Sequence, residues 1–91
     1  SDFARYLLEF PFGDIYARPG LDLRSREIAT VAALTAMGKL DQLQFHLAFA
    51  RQNGVSDDEL KEALLHLAFY AGWPAAASAL TCLNAQEAPC L

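Results

Sequence analysis

The sequence predicts an all-α protein: one compact bundle of about five to six helices joined by short loops. Three observations predict it. The chain has 91 residues, enough for one domain. No alternation of polar and apolar residues runs long enough to make a strand. Helix caps and helix breakers recur at short intervals, leaving room for helices and little else. The domain spans 1–91, with its core over about 12–84.

The first helix is expected over Asp2–Phe10. Pro11 and Gly13 weaken the segment after it, although Asp14–Ala17 can hold a further turn, and Arg18-Pro19-Gly20 reads as a turn. Asp22 offers an N-cap for a helix through Met37, and Gly38 ends it. Ile28–Met37 is almost wholly apolar or small, the pattern of a helix buried on all sides. Asp41 can cap the next helix, which runs to Asn53 with Gly54 at the position after its end. Ser56-Asp57-Asp58-Glu59 is a capping box, flanked by Val55 and Leu60 where a hydrophobic staple belongs. That helix continues to about Ala71. Gly72-Trp73-Pro74 breaks it, and Pro74 suits the first turn of a last helix, Pro74–Asn84. Gln86–Leu91 is expected to be loose.

The apolar share is 54%, above the roughly 45–50% of ordinary globular chains. A small domain cannot hide that much apolar surface alone, so a homo-oligomer is expected. The net charge is −4 and the seven basic residues form no stripe, which argues against nucleic-acid binding. No signal peptide or apolar run of about 18 residues appears, so no membrane contact is expected. Cys82 and Cys90 form no CxxC and no zinc pattern, and they read as free thiols of a cytoplasmic protein. The chain begins with Ser and not Met, which leaves open whether the native N-terminus is present.

Several residues could carry chemistry. Glu27 lies just before the apolar run. There it is either a first-turn glutamate paired with Arg24 or Arg26, or a desolvated carboxyl able to act as acid or base. His46 shares a helix face with Leu43, Phe49 and Ala50. It is either a core histidine bonded to a backbone carbonyl or a working group. Glu62 and His66 stand four apart and could share a proton, but one such pair makes a poor metal site. Tyr70, Gly72, Trp73 and Pro74 form an aromatic corner that lines a pocket, the core or an interface. Arg18, Arg24 and Arg26 could bind a carboxylate or make salt bridges.

FGDIYARPGLDLRSREIATVAALTA and LQFHLAFARQNGVSDDELKEALLHLAFYAGWPAAASAL together strongly resemble the carboxymuconolactone decarboxylase family, over about Phe12 to Leu80. The telling pieces are LxxRxRE (Leu21 to Glu27), His46 followed by Gly54, the S-x-x-E helix start, and YAGWPAA. The same superfamily includes alkylhydroperoxidase D-like proteins, whose site is a glutamate, a CxxC and a histidine. In this chain the glutamate falls on Glu27 and the histidine on His46, while Lys39 and Gln42 hold the cysteine positions. A thiol peroxidase needs an activated thiolate and a resolving partner, so that activity is expected to be absent.

The resemblance implies an all-helical, alkylhydroperoxidase D-like fold that associates as dimer, trimer or hexamer. It implies a cofactor-independent decarboxylase of a small cyclic carboxylic acid, of the γ-carboxymuconolactone type found in aromatic catabolism toward β-ketoadipate. Glu27 and His46 would be catalytic. Arg18, Arg24, Arg26, Tyr70 and Trp73 would bind substrate. No metal is implied. The alternatives are an enzyme acting on another small acid and a non-catalytic oligomeric binding module.

Overall fold

A computed structural model describes residues 2–3 and 13–86. Among them are four α-helices and no strand: α1 (Leu23–Met37), α2 (Leu40–Gln52), α3 (Asp57–Ala68) and α4 (Trp73–Ala85). A single wide helical turn at 13–15 precedes them. Of the expected first helix only Asp2 and Phe3 are described, and both are helical. No described helix is long and apolar enough to cross a membrane.

Local chemistry sets most of the boundaries. The Asp22 side chain accepts the Ser25 N–H at 2.8 Å and starts α1. Gly38 closes it in the left-handed region at φ 70°, where a side chain would be strained. Ser56 and Glu59 exchange bonds of 3.0 and 2.9 Å, completing the capping box of α3. Val55 and Leu60, the staple residues, are both buried in the core.

Four expectations are corrected. Asp41 does not cap α2. The cap position is Lys39, because Gly38 and Lys39 are the whole connection from α1 and Asp41 already lies in the first turn of α2. There its charge faces the favourable end of the helix dipole. Helix α3 ends at Ala68, not near Ala71, because Phe69, Tyr70 and Ala71 turn back onto His66 and Leu67 carbonyls ahead of Gly72. Gln86 is not loose: it accepts from Arg51 Nη1 at 2.8 Å and donates to the Gln44 carbonyl at 2.7 Å. Residues 87–91, Cys90 among them, lie outside the described residues. Finally, α1 is not buried all round within one chain. Its buried line is Glu27, Val31 and Thr35, while Ala29, Ala33, Ala36 and Met37 face outward.

The core sits where α1 meets the other three helices. Val31, Leu43, Leu47, Ala50, Val55, Leu60, Leu64, Ala79 and Leu83 are fully or almost fully buried. Two arginines lock the corners. Arg51 at the end of α2 bonds Asp57 at 2.6 Å, Gln86, and the Leu83 carbonyl at 3.2 Å, joining three helices. Arg24 on α1 bonds the Glu59 carboxylate and, at 3.4 Å, the Gly54 carbonyl.

The Arg24 bond, helped by the Ser56 N–H, holds the Glu59 carboxyl at about 2, against an ordinary 4.5. A carboxyl that is more acidic in the fold than in the unfolded chain stabilises above the unfolded value, and this is lost as pH falls through the folded one. Glu59→Gln keeps a side chain able to complete the capping box and removes only the charge. In urea melts the natural chain should exceed this variant in stability above pH 4.5, and the gap should close as pH falls toward 2. Salt should narrow it, since the pair is about half exposed.

Candidate active site

Helix geometry brings two distant residues together. On α1, positions 27, 31 and 35 form one line, so Glu27 enters the interior with Val31 and is 0% exposed. On α2, Leu43, Leu47 and Ala50 form the buried line. His46 lies at the edge of that line, three residues from Leu43 and four from Ala50, and its side chain is 15% exposed. Packing α1 on α2 puts His46 Nδ1 3.1 Å from Glu27 Oε1. His46 is therefore bonded to a carboxylate, not simply parked against apolar neighbours.

The pair has a defined direction. A carboxylate only accepts, so Nδ1–H donates to it and Nε2 is the nitrogen turned away from Glu27. Two aromatic rings fix the imidazole plane. Phe45 and Phe49 stand nearly perpendicular to it, with centroids at 5.0 and 6.4 Å, and they stack on each other. The second carboxylate oxygen, Glu27 Oε2, is buried with no hydrogen-bond partner among the described residues. An under-bonded buried carboxylate costs stability, so its presence calls for a reason, and a catalytic role is one.

One neighbour escaped the sequence-based expectations. Tyr16, on the turn before α1, shares a 2.6 Å hydrogen bond with Thr30 Oγ1. Burial, and then the nearby Glu27 carboxylate, raise the pKa of its phenol; the Thr30 bond and Arg26 offset only part of this. The hydroxyl therefore stays protonated at neutral pH beside the pair. No spacing rule connects Tyr16 to Glu27 across the Pro19-Gly20 turn. Its place within FGDIYARPG was the only signal.

The other expected site residues divide into groups. Arg24 is committed to Glu59 and Gly54. Arg26 donates to the Leu21 carbonyl at 3.0 Å and to the Arg18 carbonyl at 3.1 Å, folding the loop back onto α1. Arg18 is exposed, two residues beyond Tyr16. Trp73 lines an apolar groove of about 220 Å³ between α3 and α4, with Leu64, Leu65, Ala76 and Leu80; neither Glu27 nor His46 lines it. Tyr70 is exposed and packs on His66, with ring centroids 4.9 Å apart. Within one chain, then, the aromatic corner and the Glu27–His46 pair stand in different places. No group of three or more possible metal ligands occurs among the described residues. Lys39 and Gln42 are both exposed at the start of α2. The thiol of Cys82 is free and sits on α4, packed against the core.

The family model for the carboxymuconolactone decarboxylase family matches residues 1–85. The chain belongs to that family. It is 43% identical over 80 residues to the 4-carboxymuconolactone decarboxylase of Acinetobacter baylyi, covering 88% of this chain and 60% of that one. It is 34% identical over 74 residues to the nitrosuccinic acid decarboxylase npaB of Metarhizium robertsii, covering 81% and 52%. The chain thus spans between half and two thirds of the length of these relatives.

A buried hydrogen-bonded pair retained for folding and one retained for chemistry respond differently to removal. Swapping both partners for apolar residues is often neutral or stabilising when packing is kept. The double variant Glu27→Met with His46→Leu should therefore be at least as stable in urea as the natural chain, by up to about 4 kcal/mol. A clear loss of stability would mark the pair as structural.

Proposed function

We propose that this protein is a cofactor-independent decarboxylase of a small cyclic carboxylic acid, of the γ-carboxymuconolactone type, with Glu27 and His46 as its acid–base pair. The 3.1 Å bond between a fully buried carboxylate and an imidazole at the edge of the interior carries this reading. Relatives named as decarboxylases of two different acids support it.

The chemistry is set by where electrons can go. When CO2 departs, its bonding electrons must enter a neighbouring acceptor. A nitro group and a conjugated lactone are both such acceptors. The resulting carbanion equivalent then takes a proton on carbon. His46 Nε2 supplies that proton or bonds the developing oxyanion, while Glu27 holds Nδ1 and keeps the ring oriented. Arg18 binds a substrate carboxylate, since Arg24 and Arg26 already serve the fold. The apolar rings of Phe45 and Phe49 suit the departing carboxylate, which loses its charge as CO2 forms.

We further propose that the active form is a homo-oligomer associated through the α3–α4 face. Leu65, Phe69, Tyr70, Trp73 and Leu80 are all exposed there, with Phe69 82% and Trp73 65% accessible. Such an apolar patch is unusual on a monomer.

CO2 release from γ-carboxymuconolactone tests the catalytic reading. His46→Ala and Glu27→Ala should each cut kcat/KM by at least ~100-fold, and Arg18→Ala should act mainly on KM. Full turnover in folded His46→Ala or Glu27→Ala would refute the assignment. Light scattering tests the assembly: the natural chain should exceed the monomer mass at micromolar concentration, and Trp73→Glu should lower it.

A further inference from the structure

The turn before α1 puts a second polar system against the Glu27–His46 pair. Thr30 comes three residues after Glu27, so the two side chains are neighbours on one helix face. The Thr30 hydroxyl donates to the Arg26 carbonyl at 2.9 Å. Its proton is thereby committed, so in the 2.6 Å contact with Tyr16 the phenol is the donor. The order is Tyr16 to Thr30 to the Arg26 carbonyl, running beside Glu27. The backbone that carries Tyr16 is itself tied down. Arg18 N–H closes a turn onto the Ile15 carbonyl at 3.2 Å, and Arg26 holds the Leu21 and Arg18 carbonyls. The Arg26 side chain and the Tyr16–Thr30 bond tie the loop to α1, and the turn at Arg18 closes it internally, so a short, otherwise irregular loop is fixed. They place one partly buried hydroxyl next to a carboxylate whose Oε2 has no hydrogen-bond partner among the described residues.

We propose that Tyr16 is a positioning residue of this site, acting through the hydroxyl pair it forms with Thr30 to fix the Glu27 carboxylate that holds His46. The inference deepens the acid–base reading above and rests on it for its catalytic consequence. Its physical content is a choice of proton direction. With the phenol proton on Thr30, the hydroxyl gives no hydrogen bond to Glu27, whose Oε2 has no partner among the described residues. Rotation of the same O–H toward the adjacent Glu27 carboxylate gives it a second hydrogen bond. The hydroxyl can thus match the charge that Glu27 bears at each stage without moving the backbone. Among the described residues, the charged groups around it include Glu27 and Arg26 on α1 and, through Glu27, His46 on α2. Substrate would feel Tyr16 only through Glu27 and His46, so its loss should act on proton transfer and not on binding.

The test uses the whole chain and needs no substrate for its first readout. The ring signals of His46 are followed by NMR across pH in the natural protein, Tyr16→Phe and Thr30→Val. His66, the other histidine, is exposed on α3 and serves as the internal reference. Tyr16→Phe and Thr30→Val should each move the His46 midpoint by ~0.5 pH unit or more and leave His66 in place. Thr30→Ser, which restores the hydroxyl lost in Thr30→Val, should return it. In turnover, both variants should lower kcat by about tenfold, less than the ~100-fold or more expected on losing the acid or base itself, with KM little changed, and shift the pH profile in step with His46. If Tyr16→Phe fails to fold, Thr30→Val gives the same readout from the other side of the bond. A His46 midpoint unchanged in the folded variants overturns the proposal, even if their melting temperatures fall, because that is the mark of a purely structural contact. Failure of the natural protein to release CO2 from the lactone would instead sink the decarboxylase reading and leave the His46 titration to decide the role of Tyr16.

Discussion

One buried carboxylate governs the arrangement of this molecule. Glu27 occupies the interior line of α1 at zero exposure, where an apolar residue would pack at no electrostatic cost. Its position obliges α2 to deliver a hydrogen-bond donor at the same level, and His46 is that donor. The register of α1 on α2 is thus tied to a polar contact as well as to Val31, Leu43 and Leu47. Slide either helix by one residue and the carboxylate would face hydrocarbon. The fold and the candidate site are in this sense the same contact.

The rest of the structure holds that contact still. Arg24 links α1 to the start of α3, Arg51 links α2 to α3 and α4, and Arg26 folds the loop ahead of α1 back onto the helix. Three of the seven basic residues are spent on holding elements together, each using a guanidinium fork that a lysine could not reproduce. Surface pairs contribute little singly. Their effect here is geometric: they set where helices begin and end relative to the buried pair, which a nonpolar core alone would leave less sharply defined.

The sequence disclosed features whose causes are local. Asp22, Gly38, Gly54 and the Ser56–Glu59 box act within one turn of backbone, and each marks a boundary in the structure. Asp41 misled because the same local logic ignores how few residues connect α1 to α2. Helical spacing put His46 at an apolar face, but it could not say that Glu27 faces it across the helix interface. That link came from resemblance to a family. Tyr16 was out of reach of either argument, since its meeting with Thr30 depends on the path of an irregular loop. The outward-facing alanines of α1 were hidden for a related reason: composition reports how apolar a helix is, not how many neighbours one chain supplies to cover it.

Glu59 shows how an exposed position can lose its freedom to vary. Its two carboxylate oxygens serve different masters: Oε1 takes the Ser56 N–H of its own helix, and Oε2 takes the guanidinium of Arg24 on α1. An aspartate, one methylene shorter, cannot span both tasks; a glutamine keeps the first and weakens the second. Because Arg24 in turn spans the gap to the Gly54 carbonyl, it too has few substitutes. Positions 24 and 59 should therefore drift as a couple, with change at one tolerated mainly when the other changes with it. Surface exposure, the usual sign of evolutionary latitude, misjudges both.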